Sequence, residues 1–172
     1  IPNSSDNADF EVGDVGRVEW RAQRPWLGDR PLLTYPGTFG RINGVDYIVP
    51  IARRLKEIAP EVRILLIGDG SEKAAVQRMA VEAGVLDVNL FVEDSVPKAQ
   101  MPEVFAGSDM ICSFVIDIPE LFANSANKVF DTFAAARPIL INHGGWQADI
   151  IGKTGCGLVT AGLSVDAAAQ LL

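Results

Sequence analysis

Cysteine and histidine are scarce in this 172-residue chain, which holds two Cys (Cys112 and Cys156) and one His (His143). With no paired Cys or His spacing, the usual transition-metal sites have too few ligands, and no metal is expected. The cysteines lie far apart, each in apolar surroundings, which suits reduced core thiols of a cytoplasmic protein better than a disulfide framework. Positive charge is in deficit too. Fifteen Lys and Arg stand against twenty-two Asp and Glu, a net charge of -7. A field of that sign repels a phosphate backbone, so nucleic acid is not an expected partner. Apolar runs are short, and none nears the ~20 residues that a membrane-spanning helix needs. The GxxxxGK[ST] loop is missing, which excludes a P-loop NTPase. Ser113, Ser125 and His143 lack a strand-to-helix nucleophile elbow, which argues against a hydrolase triad.

What is there suffices for one well-cored domain. Hydrophobic residues make up 48% and charged residues 22%, a composition that excludes a disordered or fibrous chain. The first residue is Ile without a signal pattern, and SVDAAAQLL stops inside a helical pattern, so the chain is expected to be a piece of a longer protein. Residues 1–30 are polar and rich in Gly, Pro and Asp. They read as a lead-in linker with one short helix around Val15 to Ala22. Trp20 and Trp26 are read as anchors pinning it to the core, with a stacking platform as the alternative.

From Pro31 onward, short apolar runs alternate with helical patterns. Strands are expected at Leu32 to Tyr35, Ile64 to Ile67, Val88 to Val92, Met110 to Val115, Pro138 to Ile141 and Gly157 to Thr160. Helices are expected from Asn43 to Ala59, with Pro50 in its first turn or kinking it, and from a Ser71 cap to Gly84. Further helices should span Ala99 to Ala106, Ser125 to Ala136, Trp146 to Ile151 and Val165 to Leu172. Six strands, apolar throughout and each followed by a helix, predict a doubly wound, Rossmann-like α/β domain with a parallel sheet covered on both faces.

In the commonest order of such sheets, strands one and four are neighbours whose helices go to opposite faces, and ligands bind in the crevice at their carboxyl ends. The loop after strand one, Pro36-Gly37-Thr38-Phe39-Gly40-Arg41-Ile42-Asn43-Gly44, offers glycines for close backbone approach and a forked cation, Arg41. The loop after strand four carries Glu120 and Asn124 and runs into Ser125-Ala126-Asn127-Lys128. Ser125 or Asn124 is expected to cap the next helix, leaving backbone N–H groups and the Lys128 ammonium for an anion. Asp131, one turn on, shares their face and suits ribose hydroxyls. The plainer alternative is a turn, a solvated arginine and a surface Lys128–Asp131 ion pair. Gly68-Asp69-Gly70 starts like a dinucleotide fingerprint but has Lys73 at the third glycine's place, and so reads as a strand-end turn. His143 either faces the crevice or is structural.

Taken in order, these motifs resemble the C-terminal, donor-binding domain of a retaining, two-domain (GT-B) glycosyltransferase of family four. The resemblance runs through Ile1-Pro2-Asn3, YPGTFGRINGVD, LLIGDGSE, DMICSF, NSANKVFDTFAAARPIL and HGGWQADIIGKTGCGLV. It is closest to the bacterial O-antigen and capsule branch similar to N-acetylfucosamine transferases, whose donor helix opens Ser-Pro-Asn-Lys; here the pattern is Ser125-Ala126-Asn127-Lys128. Of the family's two glutamates with seven residues between them, Asp131 replaces the second, implying the ribose contact, and Ala123 the first, whose sugar contact passes to Glu120 or Asn124. The resemblance implies a nucleotide-sugar donor, a UDP-sugar being favoured, with Arg41 and Lys128 as the catalytic cations on the leaving diphosphate. Gly37, Thr38, Gly40, Glu120, Asn124, Ser125, Asn127 and Asp131 then bind the donor, and Ser95 and Val96 lie against its base. No cofactor or metal is implied. The acceptor, and any membrane contact at the cytoplasmic face, would belong to an N-terminal domain that this chain lacks. A non-catalytic nucleotide-binding module and a GT-B sugar-nucleotide epimerase are the alternatives.

Overall fold

A computed structural model describes residues 4–172. The Ile1-Pro2-Asn3 segment of the resemblance lies outside the described residues. In chain order the elements are α1 (Gly13–Ala22), β1 (Leu32–Pro36), α2 (Ile48–Ile58), β2 (Arg63–Ile67), α3 (Lys73–Glu82), β3 (Leu90–Glu93) and α4 (Met101–Gly107). There follow β4 (Met110–Ser113), α5 (Asn127–Ala134), β5 (Ile139–Ile141), α6 (Trp146–Thr154), β6 (Gly157–Val159) and α7 (Val165–Leu171). The six strands form one sheet in the order β3-β2-β1-β4-β5-β6, and every pairing is parallel. The Rossmann-like doubly wound fold is therefore as the apolar strand pattern implies, and β1 and β4 are adjacent at the switch point. No helix among the described residues is long and apolar enough to cross a membrane.

Side chains alternate between the two faces of the sheet, and each set finds its own helices. Leu33, Tyr35, Ile64, Leu66, Cys112 and Leu140 pack with α2, α3 and α7 in the larger core. Leu32, Leu65, Ile67 and Ile111 pack on the opposite face with Trp20, Val104 and Phe105. Ile139 and Ile141 continue that face with Val129 of α5 and Ile151 of α6.

Residues 4–30, the lead-in, are packed onto the domain. Trp20 is 4% exposed and Leu27 is fully buried. The Trp20 ring lies so close to α4 that a Cβ on Gly107 would come 2.1 Å from it. Arg24 sits 3.6 Å above the same ring and grips Glu93 with both ends of its guanidinium, at 2.9 and 2.7 Å. Trp26 stacks on Phe91. Both tryptophans are anchors.

Several helix starts differ from expectation, each for a local reason or, at α3, because a distant backbone group takes the place of a local cap. The expected start at Asn43 is broken up by Gly44 in the left-handed region (φ 53°), so two 3-10 turns precede α2, and Pro50 falls in the first turn of α2. There its missing N–H costs nothing. Ser71 does not cap α3; its hydroxyl bonds Glu72 Oε1, while the Glu72 N–H donates to Phe39 O at 2.9 Å from the loop after β1. Nor does Asn124 or Ser125 cap α5, which begins later, with Ala126 in the cap position and no side-chain cap bond. The third strand starts at Leu90 instead of Val88 because residues 85–90 form a tight turn with Asp87 at φ 57°.

If α1 is part of the cooperative unit, Trp20→Ala should lower unfolding stability by about 3–5 kcal/mol in denaturant titration, as for other buried aromatic truncations. Val18→Ala, at a position 64% exposed on the same helix, should change it by less than ~0.5 kcal/mol.

Candidate functional site

The carboxyl ends of β1 and β4 are tied together by main chain. Ile116 N–H donates to Ile42 O at 3.0 Å, which joins the loop after β4 to the glycine loop after β1. The glycine loop is also laced to the turn after β2. Gly37 N–H donates to Ile67 O at 2.9 Å and Phe39 N–H to Asp69 O at 2.8 Å. The approach is so close that a Cβ on Gly68 would lie 1.8 Å from Gly37 O, and one on Gly70 2.5 Å from Phe39 O. Gly68-Asp69-Gly70 is thus a strand-end turn, and its glycines make room for protein backbone. Gly40 serves the local turn, where a Cβ would strike Asn43 Oδ1.

Lys128, in the first turn of α5, reaches under this loop. Its Nζ would be 2.8 Å from a Cβ on Gly37, whose φ is 146°, and lies 3.8 Å above the Tyr35 ring. Although the residue as a whole is half-buried, this nitrogen is buried and has no hydrogen-bond partner. Burial lowers its pKa from the ordinary 10.5 to about 7, offset in part by the neighbouring Cys112 thiol, which burial itself pushes up to about 12. Burial also raises the Tyr35 phenol, whose hydroxyl donates to Thr38 O at 2.8 Å. The surface pair with Asp131 is not formed: none of the ion pairs among the described residues involves Lys128. A desolvated amine beside a ring face, a glycine backbone and a protonated thiol lacks the anion that would hold its proton.

Two adjoining cavities extend from here on the α4 side. One, of about 250 Å³, is lined by Gly37, Thr38, Gly68, Ser95, Val96 and Met101 among others. The next, of about 540 Å³, shares Met101 and includes Lys98, Asn127, Asp131, Ser4, Ser5, Asp6 and Asp9. Gly37, Thr38, Ser95 and Val96 thus line the smaller cavity and Asn127 and Asp131 the adjoining larger one, while Lys128 lines neither and lies beneath Gly37 at the edge of the smaller. The larger cavity carries three carboxylates, Asp6, Asp9 and Asp131, with one cation, Lys98, and the Lys128 Nζ is buried near the glycine loop.

Arg41, Glu120 and Asn124 are exposed and line neither cavity. Arg41 follows the glycine loop directly and makes no hydrogen bond or ion pair among the described residues. Glu120 and Asn124 sit in the loop between β4 and α5, whose Asp117 and Phe122 border a separate cavity of about 730 Å³ with Asn142 and His143. His143 is 3% exposed and stacks on Phe122. Ser125 is half-buried between this loop and α5.

Two groups of site residues escaped the sequence reading. Lys73, seen there only as a missing glycine, bonds Gly68 O (2.9 Å), Glu93 O (3.2 Å) and Asp94 Oδ1 (2.6 Å), stapling the loop after β3 beside the turn after β2. That bond with Lys73 also holds the Asp94 carboxyl below its ordinary pKa. The polar lead-in, Ser4 to Asp9, gave no periodic signal to place it against α5.

The chain matches the family "Glycosyl transferases group 1" over residues 30–172, and it belongs to that family. It is 22% identical over 156 residues to the 2-deoxystreptamine glucosyltransferase of Streptomyces kanamyceticus, which covers 91% of this chain but 38% of that protein. Its fold is similar to that of Anabaena HepE solved with UDP and glucose, with a TM-score of 0.76 and 15% identity over 98% of this chain and 44% of HepE. It is also similar to WaaG, a glycosyltransferase involved in lipopolysaccharide biosynthesis (TM-score 0.75, 17% identity, 98% and 44% covered). The isolated C-terminal domain of a group 1 glycosyltransferase, LpcC of Francisella tularensis, superposes with TM-score 0.71 at 13% identity, covering 98% of this chain and 85% of that domain. The chain thus spans less than half the length of the full-length relatives, and its fold is half of a GT-B glycosyltransferase.

The Lys128 setting gives a signed pH dependence. In the free protein Nζ loses its proton as pH rises through about 7, whereas a bound diphosphate favours the charged amine, so binding takes up a proton above that pH. Above about pH 7.5 a terminal phosphate (second pKa about 6) no longer titrates. There, affinity for a nucleoside diphosphate should fall by up to about tenfold per pH unit. Calorimetry of Lys128→Met across the same range should show a flat profile.

Proposed function

We propose that this chain is the donor-binding half of a retaining, family-four glycosyltransferase that takes a UDP-hexose. The buried, unpartnered Lys128 ammonium beneath Gly37, at the switch point of the sheet, is the observation that carries this reading. In it, the diphosphate lies between the glycine loop and the start of α5. Lys128, Arg41 and the first N–H groups of α5, near Ser125 and Asn127, neutralise the charge that grows on the diphosphate as the glycosidic bond to the sugar breaks. These cations do the work without a divalent ion. The ribose lies toward Asp131, at the carboxylate-rich end of the crevice where hydroxyl donors are favoured over phosphate. The base rests against Ser95 and Val96, on the loop that Lys73 staples.

The sugar lies on the side of Glu120 and Asn124, which take the place of the family's first glutamate at Ala123. UDP and glucose in HepE support the choice of donor class, and the lipopolysaccharide role of WaaG supports a glycan or lipid-linked acceptor in surface polysaccharide synthesis. Similarity to the N-acetylfucosamine transferase branch rests on the Ser125-Ala126-Asn127-Lys128 motif. The acceptor site is assigned to a further domain of a longer protein, acting in the cytoplasm and touching the membrane, where it does so, through that domain.

Titration calorimetry of the chain with UDP, GDP, uridine and glucose 1-phosphate tests this. A nucleoside diphosphate should bind more tightly than either uridine or the sugar phosphate. Arg41→Ala and Lys128→Ala should each weaken diphosphate binding by about 1–3 kcal/mol while changing uridine binding much less. Asp131→Asn should weaken a ribonucleotide more than its 2′,3′-dideoxy form. Equal losses for both forms would remove Asp131 from the ribose.

A further inference from the structure

The loop from Val115 to Asn124 carries the sugar-side residues and feeds directly into the helix that bears Lys128, yet it belongs to no strand. Its internal hydrogen bonds are short-range: Ile118 N–H to Ile116 O, Leu121 N–H to Ile118 O and Asn124 N–H to Leu121 O. Such turns fix local shape but not the loop's place on the domain. Besides the bond from Ile116 N–H to Ile42 O, that place is set from outside by residues 142–147, after β5. At the front end, the Asn142 side chain acts as a one-residue strand: Oδ1 accepts the Val115 N–H at 3.0 Å and Nδ2 donates to Val115 O at 2.9 Å. In the middle, the buried His143 ring stacks on Phe122 with centroids 5.6 Å apart. Gly145, at φ 91°, lets its backbone close on the same residue, since a Cβ there would be 2.8 Å from Phe122 O. At the back end, Gln147, 3% exposed, donates Nε2 to Asn124 O at 2.7 Å. Its Oε1 is buried without a partner, so the Asn124 carbonyl alone dictates which way this amide points.

We propose that residues 142–147 are a clamp that positions the donor loop, with Asn142 and Gln147 as positioning residues at its two ends. The clamp rests on the reading of this crevice as a donor site only for its consequence in binding; its mechanical role is independent of it. Releasing Gln147 frees the main chain at Asn124, three residues before α5, while leaving the sheet, the glycine loop and Lys73 untouched. The clamp therefore acts on the sugar side and on the start of α5, and leaves the base side alone.

Amide hydrogen exchange of the whole chain tests the mechanical part in Gln147→Glu, which sets an acceptor against the Asn124 carbonyl, and in Gln147→Met and Asn142→Ala. Exchange across residues 115–128 should speed up by about tenfold or more in each variant, with the amides of β1, β2 and β3 unchanged. Unchanged exchange at 115–128 in the two milder variants would overturn the clamp, as would a uniform rise over the whole sheet in them, which would mark Asn142 and Gln147 as general core supports. Calorimetry then separates the clamp from the functional reading. With wild type binding UDP-glucose and UDP, Gln147→Met should weaken UDP-glucose more than UDP and leave uridine unchanged. Faster exchange in a protein that binds no UDP would keep the clamp and reject the donor site. Equal binding by wild type and both milder variants would reject the clamp's role in binding.

Discussion

A lysine ammonium held out of water without an anion is the constraint around which the rest of this structure is arranged. Nζ of Lys128 is buried over the Tyr35 ring and against the Gly37 backbone, with no hydrogen-bond acceptor. Burying an unpaired cation costs free energy, and a cation–π contact offsets only part of that cost. What keeps it in place is the rigidity of its neighbours. Tyr35 is a fully buried residue of the central strand, its hydroxyl fixed to Thr38 O. Lys128 itself is carried on a helix whose Val129 and Thr132 are buried. A bound diphosphate would supply a counter-charge, so the cost of burying this cation becomes selectivity for an anion.

The same economy governs the glycines. Those of the first loop were expected to admit a ligand, and Gly37 does stand beside the crevice. Gly68 and Gly70, in contrast, admit the backbone of that loop itself, and Gly145 admits Phe122 O. The mouth of the sheet is assembled from loops touching through main chain, with side chains such as Lys73, Asn142 and Gln147 closing the remaining gaps. This is why loops lacking a ladder of their own hold a defined geometry at the ends of β1, β3 and β4.

Strands and sheet order were legible because buried parallel strands read as unbroken apolar runs, and the alternation with helices leaves few topologies. The helix starts were less so. Ser71, Asn124 and Ser125 have the right chemistry for caps, but at α3 Phe39 O, thirty-odd positions away in sequence, bonds the Glu72 N–H, and α5 starts only after Ala126. The nearness of Gly37 and Thr38 to Lys128 is legible in the sequence because loops after the adjacent strands β1 and β4 must converge. Lys73 and Gln147 are not legible, since a lysine bonding carbonyls and a buried glutamine leave no spacing signal. In the lead-in the tryptophans are legible as anchors, whereas Arg17, Arg21 and Arg24, which bond α4, Asp109 and Glu93 through contacts distant in sequence, leave no local signal.

The account turns on the protonation of one amine, and NMR can observe it directly. The chain has five lysines, so selective carbon labelling at lysine Cε gives a resolvable set of signals. The Lys128 signal should titrate near pH 7 in the free protein, well apart from the others, and should shift to the charged form at pH 8 when UDP is added. A Lys128 signal that titrates with the rest near 10.5, or that ignores UDP while the nucleotide binds, would contradict the account.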